Sequence, residues 1–111
     1  MHKHKKGFLA EIFILFFYVC RFYIPLKHRY KTKLGEVDLI MKRGNTVIFI
    51  EVKARSCGMH ENIVSKVQQL RISKAASLFI ASRVEYHKHN VRFDLAVVKP
   101  YKIPEIIENA W

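Results

Sequence analysis

The chain has 111 residues, half of them hydrophobic and 26% charged, with only 4 Gly and 3 Pro. That size supports one domain with one core over residues 1–111, and the composition excludes two-domain, disordered, collagen-like and low-complexity classes. Twenty Lys and Arg against nine Asp and Glu leave a formal net charge of +11, which draws polyanions and makes nucleic acid the first partner to consider.

The basic start His2 to Lys6 and the apolar run Phe8 to Cys20 imitate the opening of a signal peptide. Glu11 interrupts that run, no small-x-small cleavage site follows, and the stretch falls short of the roughly 20 residues a spanning helix needs. The expectation is a buried helix over residues 7–21 and no membrane partner. Phe8, Leu9, Ile12, Leu15, Phe16 and Val19 recur at helical spacing, and Ile14, Phe17 and Tyr18 add apolar surface on the other side. Cys20 and Cys57 match no metal spacing and are too few for a disulfide framework, so a cytoplasmic location is expected.

From Lys27 onward, Lys27, Arg29, Lys31 and Lys33 occupy alternate positions. On an extended strand these cations share one face, either as an edge that blocks aggregation or as a surface for phosphates, and the net charge favours phosphates. Strands follow at Glu36–Met41 and Thr46–Lys53, joined by Lys42-Arg43-Gly44-Asn45, where Gly and Asn supply positive φ. TVIFIEVK reads as a central strand covered on both faces. Ser65 to Ser82 is helical through Val67, Leu70, Ala75, Leu78 and Phe79, with Ser65 and Gln68 as a capping box. VRFDLAVVK at 91–99 is the last strand, before a tail that Pro104 breaks and Trp111 anchors. The order α-β-β-β-α-β predicts a mixed α/β domain, a small sheet flanked by helices.

Three of the nine acids, Glu36, Asp38 and Glu51, fall in one sixteen-residue window. Pairing Met41 with Thr46 sets Asp38 opposite Phe49 and diagonal to Glu51, on one face. Two buried carboxylates repel and lose hydration, and a divalent cation relieves both costs. Few hard oxygen ligands suit Mg²⁺, with Mn²⁺ as its substitute. Lys53, two residues past Glu51, then stands beside the ion, where an ammonium orients water and offsets transition-state charge in phosphodiester hydrolysis. The plain alternative is a Glu51–Lys53 ion pair with Asp38 as a surface acid.

GEVDLI at 35–40, FIEVKAR at 49–55, a Gln-bearing helix and RFDLAVV at 92–98 resemble the UPF0102 (YraN-like) family, itself similar to Holliday junction resolvases and other PD-(D/E)XK nucleases. The resemblance implies a restriction-endonuclease-like core, with Asp38 and Glu51 as metal ligands and Lys53 as the lysine of the Glu-x-Lys motif. It also implies that Gln69 lines the site. Glu11 would approach the metal through its water shell, or else face solvent as an ordinary helix acid. Glu36 is structural or flanks the site. Arg29 stands where relatives often carry Asn, and Gln68 where they often carry Lys. The implied protein is a Mg²⁺-dependent endonuclease of structured or branched DNA, acting as a homodimer because two scissile strands need two sites.

The main rival is a DNA- or RNA-binding module with this fold and no turnover; another is a membrane-surface protein anchored by its first helix. His2, His4, His60, His87 and His89 read as solvated, and Cys57 lacks a triad-spaced His for nucleophilic catalysis. Asp94 reads as structural, hydrogen-bonded to Arg92 or Arg55.

Overall fold

The computed structural model describes residues 2–55 and 64–111, with side chains from residue 7 onward. Cys57 and His60 lie outside the described residues, as do the side chains of His2 and His4. In chain order the elements are α1 (His2–Val19), β1 (Ile24–Lys31), β2 (Glu36–Arg43), β3 (Thr46–Ala54), α2 (Lys66–Ala81), a 3₁₀ turn (Val84–Tyr86), β4 (Asn90–Val98) and β5 (Glu105–Ile107). The sheet runs β1-β2-β3-β4-β5. Among the described residues only β3 and β4 pair in parallel, and α2 lies in the crossover that a parallel pair requires. The mixed α/β order read from the sequence holds, with β5 as an added three-residue edge strand. So short a strand carries no periodicity of its own to detect.

β3 is the middle strand, and Val47, Ile48, Phe49 and Ile50 are each 0% exposed. Alternation sends Val47 and Phe49 toward α2, where they pack with Ile72, Ala75, Ala76 and Phe79. Ile48 and Ile50 go the other way, to Ile14 and Tyr18 of α1. Each such buried side chain stabilises the fold by about 1.5–3 kcal/mol.

The rotation of both helices differs from the periodicity reading. On α1 the sheet-facing residues are Ala10, Glu11, Ile14 and Tyr18, while Leu9 and Phe16 are each 60% exposed. A helix apolar almost all round has no phase that sequence can fix, and here polar anchors select it. The Tyr18 hydroxyl donates to the Asp94 carboxylate at 2.8 Å, and Glu11 accepts from β1. Asp94 is fully buried and also takes Arg92 Nε at 2.9 Å and the Asn109 amide at 3.1 Å, so its structural role stands with Arg92 as partner. On α2, Val67 and Leu70 face solvent and Ile72 and Ala76 replace them in the core. The Ser65–Gln68 capping box is present as read.

The hairpin is tighter than expected. Arg43 pairs with Thr46 and Leu39 with Ile50, so the turn is only Gly44-Asn45, with Gly44 at φ 59°. The register moves by two residues from the Met41–Thr46 pairing. A shift of two preserves every side chain's face, and it moves Asp38 from opposite Phe49 to opposite Glu51.

The expected four-cation strand face is broken. β1 carries an irregularity between Pro25 and Lys27, Arg29 takes φ 57° in mid-strand, and the strand ends at Lys31, leaving Lys33 in the turn to β2. Thr32 closes that turn: its Oγ1 accepts from the Gly35 amide at 3.0 Å and donates to the Gly35 carbonyl at 2.7 Å. Gly35 lies against α2 so closely that a Cβ there would stand 1.9 Å from the Arg71 carbonyl oxygen.

No helix among the described residues is long and apolar enough to cross a membrane. Gly35→Ala forces the β1–β2 turn off α2 and lowers the unfolding free energy by about 1–3 kcal/mol. Urea denaturation measures this, and an unchanged midpoint contradicts the close packing.

Candidate functional site

The β2–β3 ladder pairs from Arg43↔Thr46 to Leu39↔Ile50 and then stops. Both strands continue with their outer partners, β2 with β1 to Glu36↔Lys31 and β3 with β4 to Ala54↔Val98. The sheet therefore forks between its two inner strands. At the mouth of the fork the Val52 amide donates to Asp38 Oδ2 at 2.8 Å, so a side-chain carboxyl takes the place of a main-chain acceptor and satisfies a partly buried donor.

Asp38 and Glu51 sit across this fork on the α2 side of the sheet. With Glu36, Gln68, Arg71 and Ile72 they line a cavity of about 100 Å³. Lys53 bridges two of the lining residues: its Nζ lies 3.3 Å from Glu51 Oε2 and donates to Gln68 Oε1 at 3.3 Å. The structure thus brings Asp38, Glu51 and Lys53 together as the sequence predicted, and the ion pair of the plain alternative is one part of that cluster.

Other expected residues are placed differently. Gln69 donates its amide to the Val64 carbonyl at 2.8 Å and does not line the cavity. Gln68 does, in addition to capping the helix, because at the third helical position its side chain turns back over the N-terminus toward β3 while the next residue is rotated by about 100°. Glu11 does not face solvent. It is 6% exposed, and its Oε1 meets His28 Nε2 and Arg29 Nε, each at 2.7 Å. Lys27, Lys31 and Lys33 are exposed, whereas Arg29 is half-buried and engaged with Glu11. Arg71 went unread in the sequence; its signal was helical spacing, one turn after Gln68.

The electrostatics follow from burial. Loss of water and the neighbouring Glu51 charge push Asp38 from an ordinary 3.8 up to about 8, against the pull of the Val52 amide. Burial also raises Glu51, opposed mainly by the Lys53 ammonium. Glu11 adds negative potential at both groups. The pair is therefore short of positive charge: burial works against ionising both carboxyls together, and Asp38 favours its protonated form at neutral pH. Among the described residues no group of three or more His, Cys, Asp or Glu is placed so as to hold a metal ion together. Two carboxylates facing one small cavity nevertheless fit Mg²⁺, which takes one or two protein carboxylates and fills its other positions with water and phosphate oxygens.

A carboxyl whose pKa is raised in the folded state binds more protons folded than unfolded, so its contribution falls as pH rises from about 4 to about 8. In EDTA, Asp38→Asn is therefore more stable than wild type at pH 8 by at least about 4 °C in Tm, and the two converge near pH 4. Thermal unfolding across that range measures it; a gain independent of pH contradicts the buried, proton-holding Asp38.

The model of the family described as "Uncharacterised protein family UPF0102" matches residues 10–98, a span that takes in Glu11, Asp38, Glu51, Lys53 and α2. A UPF0102 protein of Ehrlichia chaffeensis is 41% identical over 105 residues, covering 95% of this chain and 85% of the relative. One from a Chelativorans species is 38% identical over 109 residues, covering 97% and 88%, and one from Bartonella tribocorum is 44% identical over 80 residues, covering 71% and 62%. On a match of that extent, the chain belongs to the UPF0102 family.

Proposed function

We propose that this protein is a divalent-cation-dependent endonuclease that hydrolyses phosphodiester bonds in structured or branched DNA. The observation that carries the reading is the fork between β2 and β3, which opposes Asp38 to Glu51 and sets Lys53 beside them. Burying two mutually repelling acids destabilises a fold unless they serve a cation. The resemblance of GEVDLI and FIEVKAR to the motif pair of PD-(D/E)XK nucleases supports the same assignment, and the net charge of +11 supports a polyanionic substrate.

In this reading Asp38 and Glu51 hold Mg²⁺ or Mn²⁺, which when bound polarises a phosphoryl oxygen and acidifies a coordinated water. Lys53, steered by Glu51 and Gln68, presents its ammonium to the attacking water and to the charge that grows on the phosphate oxygens. Glu11, held by His28 and Arg29, adds negative potential from the first helix and strengthens the demand for a cation. A second copy of the chain supplies the second site that two-strand cleavage requires.

Incubation with four-way-junction and supercoiled DNA in Mg²⁺ or Mn²⁺ tests the proposal. Cleavage is expected in wild type, absent in Asp38→Ala and reduced about 10²–10³-fold in Lys53→Ala, with DNA binding retained in both. Mg²⁺ is expected to raise the Tm of wild type and not that of Asp38→Ala. Binding without cleavage, across both ions and both substrates, overturns the enzyme and leaves a nucleic-acid-binding module.

A further inference from the structure

The carboxylate cavity needs cations around it to admit a phosphodiester, and the row read along β1 does not provide a continuous set, since Arg29 is committed to Glu11 and Lys33 has left the strand. A different cationic surface adjoins the cavity. α2 carries Lys66, Arg71 and Lys74 and no acid. Arg71 is exposed and lines the cavity with Glu36, Asp38 and Glu51, and its guanidinium makes no hydrogen bond or ion pair among the described residues. This is notable because three carboxyls share that cavity: Glu51 takes Lys53 instead, within 3.3 Å. Lys74 is exposed three residues on, on the same helix face. The β1–β2 turn, which carries the exposed Lys33, docks on α2 at Arg71 itself, through the close approach of Gly35.

We infer that α2 and the docked Thr32–Gly35 turn form a phosphate-binding subsite, in which Arg71 at the cavity rim, flanked by Lys33 and Lys74, grips the DNA backbone next to the phosphate presented to Asp38 and Glu51. This rests on the nuclease reading and extends it, naming the surface over which the strand runs. A guanidinium suits the rim position because its planar fork binds two phosphate oxygens at once and holds its charge at every physiological pH. The two lysines act as point charges along the backbone, contributing affinity without sequence preference. Gly35 is the element that makes the subsite, because any side chain there would lift the turn and separate Lys33 from Arg71.

The test is the salt dependence of binding to a fluorescently labelled four-way junction in EDTA, where cleavage does not intervene. Arg71→Ala, Lys33→Ala and Lys74→Ala are each expected to reduce the slope of log affinity against log salt by about 1. Lys102→Ala removes the same charge beside Phe13 and Phe17 of α1 and is expected to leave the slope unchanged. None of the four shifts Tm if the contacts are to DNA alone. Wild-type slope in Arg71→Ala overturns the subsite while leaving the endonuclease reading in place, as does an equal loss in Lys102→Ala. Failure of wild type to bind the junction at low salt overturns both.

Discussion

Repulsion between two half-buried acids is the constraint around which this end of the molecule is arranged. Asp38 and Glu51 come face to face because the inner strands of the sheet separate one residue beyond Leu39↔Ile50. The separation would strand main-chain groups were it not for the Asp38 carboxyl, which takes the Val52 amide. The same side chain thus caps an interrupted ladder and lines the cavity behind it. Both tasks depend on a hairpin whose two-residue turn holds the strands in a fixed register. The raised affinity of Asp38 for a proton is the cost of that arrangement when no cation is present.

Much of this was legible in the sequence, for a reason that lies in strand geometry. Parity along a strand survives any even error in register, so Asp38, Glu51 and Lys53 could be assigned to one face although the turn was taken as two residues too long. Residues whose position depends on tertiary contact were harder to place. Gln68 and Arg71 reach the cavity only because α2 crosses the fork at a particular height, and one helical residue separates Gln68 in the cavity from Gln69 outside it. The orientation of α1 was hidden for the opposite reason: its apolar side chains are so evenly distributed that Glu11 and Tyr18, not the hydrophobic pattern, decide which face meets the sheet.

The pairing of Glu11 with His28 and Arg29 links the first helix to the edge strand. Arg29 occupies a left-handed conformation at φ 57°, which a long side chain adopts at a cost of about 1–3 kcal/mol. The charge-assisted hydrogen bond to Glu11 at 2.7 Å offsets that cost. Asn tolerates the left-handed region more readily than most side chains, so an Arg29→Asn exchange would ease the backbone there. Arg29 instead gives the buried carboxylate a second partner beside His28.

The Val52 amide, finally, is bonded to a group that titrates, whereas sheet amides ordinarily face carbonyls that do not. Its proton resonance is coupled to the ionisation of Asp38, so one backbone signal in an NMR spectrum works as an internal indicator of whether that carboxyl is protonated, bare or occupied. The protein carries a reporter for the state of the fork within its own sheet.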